Sequence, residues 1–195
     1  VYHGPEGLTA IARRIAGLTT ALAAGLRKLG VEVVSDCVFD TLTMRVAPDV
    51  AAQVHERAVA AGMNFRRTGD GLIGLSLDET STGETVEAVW RCFAPDCVTT
   101  DLAASVPAAA ELSAAIPESL RRQEPLLQQA VFRTHRSETD MLRYLRKLSD
   151  KDLALDRSMI PLGSCTMKLN ATVEMMPITW AGFCDIHPFA PADQT

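Results

Sequence analysis

The stretch TLTMRVAPDVAAQVHERAVAAG, residues 41–62, changes its period at Pro48. Before that residue Leu42, Met44 and Val46 alternate with Thr41, Thr43 and Arg45. Such alternation belongs to a strand with one buried face. After it Val50, Val54, Ala58 and Ala61 recur at three- and four-residue intervals, the spacing of an apolar stripe on a helix. Pro48 suits a first helical turn, where a missing N–H costs nothing, and Asp49 is favoured at the positive end of the helix. Gly62 stops it. A strand that leads at once into a helix predicts sheet and helix layers packed on a common core.

Outward from this stretch the same signals recur. Toward the start, residues 31–34 and 38–46 are rich in β-branched side chains and read as extended. Before them Leu8, Ile11, Ile15, Leu18, Leu22, Leu26 and Leu29 form a helical stripe, opened by Gly4-Pro5 and ended by Gly30 as a left-handed cap. Toward the end, 63–67 and 72–77 read as strands joined by the turn Thr68-Gly69-Asp70-Gly71, a hairpin. Ser81 with Glu84 resembles a capping box, and a third helix follows through Val86, Val89, Trp90 and Phe93. The order is helix-strand-strand-helix-strand-strand-helix, which predicts an α+β fold over residues 1–93.

Beyond it, Pro95, Pro107, Pro117 and Pro125 punctuate Ala- and Leu-rich pieces. Residues 94–136 therefore read as a connector, too apolar for free disorder and expected to lie across a folded surface. Within it 131–135 looks extended. Residues 137–195 read as mostly helical. Ser137 and Asp140 launch a helix through Met141, Leu142, Tyr144, Leu145 and Leu148; a short helix is expected around 153–155; Val173, Met175 and Met176 suggest another, its methionines filling a core.

The chain has 195 residues, a formal net charge of -5, and aromatic residues at 5%. That balance argues against a large nucleic-acid surface, a basic membrane patch or base-stacking platforms. No uncharged apolar run is long enough to span a bilayer. The cysteines, Cys37, Cys92, Cys97, Cys165 and Cys184, form no Cys-x-x-Cys pair and have no His at metal-finger spacing. Reduced thiols are the simplest reading, with Cys92 and Cys97 as packing, and no metal site is expected. His55 is expected on a solvated helix face, His3 at the start of a helix, and His135 and Arg136 in packing. The ends, Val1 and Thr195, suggest a piece of a longer protein.

PLGSCTMKLN, residues 161–170, is where chemistry-bearing side chains concentrate. Pro161 and Gly163 oppose a regular helix. Ser164, Thr166, Lys168 and Asn170 offer hydroxyls, an ammonium and an amide, an inventory that suits a phosphate or carboxylate. Read from residue types alone it is first a connecting turn whose polar groups serve its own backbone.

The run SETDMLRYLRKLSDKDLALDRSMIPLGSCTMKLNATVEMMPITWAGFCDIHPFAPADQ, residues 137–194, closely resembles the pyridoxal-phosphate-dependent glycine decarboxylase family of the glycine cleavage system. GSCTMKLN (163–170) and HPFAPADQ (187–194) carry the likeness most specifically, and YHGPEGL (2–8) and FDTLT (39–43) share it. The resemblance implies an enzyme of two related aminotransferase-like halves. Residues 1–93 would be the small C-terminal-type domain of a fold-type I half, and 137–195 the first part of the second half. It implies glycine decarboxylation with pyridoxal phosphate as electron sink, and aminomethyl transfer to a lipoyl carrier protein. It further implies a homodimer when intact, in the bacterial cytoplasm or in mitochondria. The family's Schiff-base lysine follows a His; no His-Lys dipeptide occurs here, so the chain alone is expected to be inactive, with no catalytic residue and no covalently held cofactor. Ser164, Cys165, Thr166, Lys168, Asn170 and His187 are then expected near substrate or cofactor. The alternative is a non-catalytic module bridging the two halves.

Overall fold

The computed structural model describes residues 1–69, 71–99, 116–152 and 171–195, and these fall into two compact units, Val1–Ser137 and Glu138–Thr195. The first unit is built on a four-stranded antiparallel sheet. Its elements run α1 (Gly4–Lys28), β1 (Glu32–Val33), β2 (Thr41–Arg45), α2 (Pro48–Ala60), β3 (Arg66–Gly69), β4 (Leu72–Ser76), α3 (Gly83–Phe93) and a single turn, α4 (Val131–Thr134). The sheet order is β1-β2-β4-β3. Both β2 and β3 are antiparallel to β4, so β3 runs parallel to β2 with β4 between them. The hairpin Arg66–Gly69 to Leu72–Ser76 thus closes a crossover through α2.

Register explains why one face is dry. Leu42 pairs with Leu75 and Met44 with Ile73, and all four are buried. Thr41 pairs with Ser76 on the other face, where their hydroxyls meet at 2.8 Å in the open. The core joins those sheet residues to Leu22 and Leu26 of α1, Val54 and Ala58 of α2, and Val86, Val89 and Trp90 of α3. Full burial of each large aliphatic side chain contributes about 1.5–3 kcal/mol.

Close approach of α1 and α3 depends on Gly25. A Cβ there would lie 2.3 Å from the Trp90 indole, whose Nε1–H donates to the Leu22 carbonyl at 3.1 Å. Gly71 is held at φ +72°, and a Cβ on it would meet the Val46 carbonyl oxygen at 2.2 Å. Only glycine combines that left-handed backbone with that contact.

Several expectations change. His55 is buried on α2, not solvated, with its ring 6.5 Å from Phe65. Packing of α2 against α3 and the sheet covers a wider face than the Val50–Val54 spacing suggests. The third helix starts one residue later than expected: Thr82 accepts from Thr85 N–H at 3.3 Å and Thr85 Oγ1 accepts from Thr82 N–H at 3.1 Å. Ser81 is already engaged by Asp78, with its N–H at 3.1 Å and its hydroxyl at 3.0 Å from Oδ1. Residues 131–134 are helical, not extended, with α4 lying against α1.

The second unit holds α5 (Glu138–Ser149), α6 (Thr172–Met175) and α7 (Ala181–Cys184), with 3₁₀ turns at Met176–Thr179 and Ala192–Gln194. None of its described residues is buried. Met175 and Met176 are exposed there and fill no core within the unit. The short helix expected around 153–155 lies outside the described residues. No helix among the described residues is long and apolar enough to cross a membrane.

Candidate functional site

In the first unit, polar side chains converge at the first turn of α1. His3 is the N-cap residue and contributes no side-chain cap. Gly4 is buried at φ +61°, and Pro5 follows it, also buried. Glu6 stands in the first turn, where a carboxylate meets the positive end of the helix. One of its oxygens accepts from Arg136 Nη2 and the other lies 3.7 Å from Arg133 Nη1. The same Arg136 nitrogen donates to the His3 carbonyl at 3.1 Å, which also takes the Gly7 N–H at 3.2 Å. The Glu6 N–H first, then Arg136, hold the Glu6 carboxyl below the usual carboxylate range.

A shallow cleft of about 350 Å³ opens beside this cluster, between Pro5, Glu6, Thr9, Ala10 and Arg13 of α1 and Pro125, Leu126 and Arg133. Leu127, next in sequence to Leu126, adopts φ +47°, a left-handed conformation uncommon for a leucine. The arrangement holds and orients charge. Its one hydroxyl among the lining residues, Thr9, donates to the Pro5 carbonyl at 2.7 Å within α1.

Elsewhere the polar groups serve the fold. Arg57 donates to the carbonyls of Cys92 at 2.5 Å and Phe93 at 3.5 Å, closing the end of α3. Burial pushes the Cys92 thiol up, which makes it a poor thiolate. Burial, then the charge of Arg67, pushes His55 down. No group of three or more metal-ligating side chains occurs among the described residues.

Of the residues singled out in the sequence, Ser164, Cys165, Thr166, Lys168 and Asn170 lie outside the described residues. His187, in the second unit, is exposed; its Nδ1 accepts from the Phe189 N–H at 3.0 Å, and the two rings are 5.7 Å apart. The Glu6–Arg133–Arg136 cluster was not singled out as a site. Its partners are separated by 130 positions in sequence, and the one local sign is a Gly-Pro-Glu corner shared by many helix starts.

Comparison with known proteins bears on the whole chain. Residues 1–93 match the family described as glycine cleavage system P-protein. The chain is similar to a protein named glycine dehydrogenase (decarboxylating) from Gluconobacter oxydans, with 59% identity over 194 residues, 100% of this chain and 20% of that protein. Proteins of the same name from Variovorax paradoxus and Nitrobacter winogradskyi are 55% and 52% identical, again over 100% of this chain and 20% of their own length. The chain thus spans about a fifth of the length of these relatives.

Proposed function

We propose that this chain belongs to the glycine cleavage system P-protein family and works as one part of a pyridoxal-phosphate-dependent glycine decarboxylase. The observation that carries this reading is 59% identity to a glycine dehydrogenase (decarboxylating) along the full chain. A match of that length covers the α+β unit and the GSCTMKLN and HPFAPADQ stretches together, so no single motif bears the weight.

Within that enzyme the first unit serves as the small domain of a fold-type I half. Its single dry sheet face, covered by three helices, is a rigid platform. We assign Ser164, Thr166, Lys168 and Asn170 to the lining of the active-site entrance in the intact enzyme. Their donor set fits an anion: Lys168 supplies a point charge, Ser164 and Thr166 supply hydroxyl donors, and Asn170 an amide. These groups would hold the glycine carboxylate or the cofactor phosphate in place, and His187 with Phe189 would add to the wall. Pyridoxal phosphate, when bound, supplies the electron sink for loss of carbon dioxide. Lys168 is assigned no covalent role, because its Met-Lys-Leu setting is not the His-Lys pair of the family's Schiff-base lysine. The lipoyl carrier protein is the partner, the intact enzyme is a homodimer, and its compartment is the bacterial cytoplasm.

The experiment is Lys168→Ala in the full-length enzyme, with pyridoxal phosphate and glycine titrated spectrophotometrically. About tenfold weaker binding of one of them is expected for loss of a charge-assisted contact. Unchanged affinity for both overturns the assignment of the loop.

A further inference from the structure

The contact between Arg136 and the start of α1 has the features of a site built for its occupant. Gly4 is buried in a left-handed conformation at φ +61°. A Cβ at that position would lie 2.4 Å from Arg136 Nη2 and 2.7 Å from both Cζ and Nε. The guanidinium therefore fills the space that any other residue would use for its own side chain. Two acceptors face its Nη2, the His3 carbonyl at 3.1 Å and a Glu6 carboxylate oxygen. Arg133, three residues earlier, approaches the second Glu6 oxygen at 3.7 Å. A helix N-terminus by itself repels a cation, and here Glu6 reverses the local sign.

From this geometry we infer that residues 3–6 form a guanidinium-binding socket, occupied in cis by Arg136, which latches the 116–137 segment onto α1. Arg136 stands two positions before Glu138, where the second unit begins. The latch therefore fixes the point at which the chain leaves the first unit. Lysine is a poor substitute. An ammonium is a compact, strongly hydrated point charge: its one nitrogen could meet both acceptors, as Nη2 does here, but it brings no planar Cζ and Nε to fill the space over Gly4. The inference rests on contacts within the first unit alone and does not depend on the catalytic reading.

Native-state hydrogen exchange of the 195-residue chain tests it. The reporters are Phe132 and Arg133, whose N–H groups bond the Gln129 and Ala130 carbonyls. In Arg136→Ala these two amides should exchange several-fold faster, with the α3 amides unchanged as a check on folding. Arg136→Lys should behave like Arg136→Ala. Millimolar N-ethylguanidinium should slow exchange again in Arg136→Ala, and ethylammonium should not. Gly4→Ala, which forces a left-handed alanine into the socket, should match or exceed the Arg136→Ala effect, with about tenfold faster exchange. Unchanged exchange in Arg136→Ala overturns the latch. Absence of rescue by N-ethylguanidinium, or equal rescue by ethylammonium, overturns the guanidinium site.

Discussion

The two units spend their apolar residues in opposite ways. In the first, Leu22, Leu26, Leu42, Met44, Val54 and Ile73 are fully buried, and Trp90 is 1% exposed. In the second, Trp180 is 54% exposed and Phe189 is 89% exposed, and Leu142, Leu145 and Leu148 of α5 stay open along one stripe. The helices of both units are amphipathic. What differs is a partner: the first unit has a sheet face for its helices to cover, and the described part of the second has none. A helical period says that a face is apolar. It does not say what covers that face.

The largest expected effect sharpens this contrast. Trp90→Ala removes the aromatic at the α1–α3 contact and strips the Leu22 carbonyl of its indole donor. Its cost should be about 3–5 kcal/mol by urea unfolding. Trp180→Ala, the matching change in the second unit, should cost below about 0.5 kcal/mol. Similar losses from the two would erase the distinction.

Gly25→Ala comes next. In an open helix this change stabilises by about 1 kcal/mol. Here the new methyl meets the Trp90 ring, so a net destabilisation of about 1–3 kcal/mol is expected, measured the same way. A gain in stability would mean that the two helices are not in this close contact.

Acid should act on the first unit by a smaller amount. The Thr80 hydroxyl first, then the Thr80 N–H and the Ser81 hydroxyl and N–H, hold the Asp78 carboxyl below its ordinary value. Its contribution is complete above the ordinary carboxylate range and is lost as pH falls through the lowered value. His55 is also lowered, so its buried neutral form is stabilising at neutral pH, and that benefit fades as pH falls below the ordinary histidine range. Both effects run in one direction. Stability should decline from pH 7 to pH 4, less steeply in Asp78→Asn at the acid end and in His55→Gln near pH 6. Profiles identical to the wild type would remove these groups from the account.

Much of the first unit was legible because local signals agreed with the tertiary result. The strand at Thr41–Arg45 buries the residues its alternation picks out, and α2 begins at Pro48. The failures have local causes. Ser81 looked like a cap because it precedes an apolar run, but Asp78 competes for it and the cap passes to Thr82. The burial of His55 was hidden because coverage from a second element leaves no mark on a single helix. The socket at Gly4 was invisible for a stronger reason: a carbonyl, a carboxylate and a guanidinium from opposite ends of the first unit acquire meaning only when folding joins them. The stretch 161–170 was singled out by its donor inventory and its family likeness, and it lies outside the described residues.

One reporter per unit allows a direct test, since the chain contains two tryptophans. The chain labelled with 5-fluorotryptophan would be followed by ¹⁹F NMR through a urea titration. The account predicts that the Trp90 resonance starts far from its denatured position and reaches it in one sigmoidal step, while the Trp180 resonance starts near its denatured position and shows no such step. Two resonances that shift together in a single transition would contradict it.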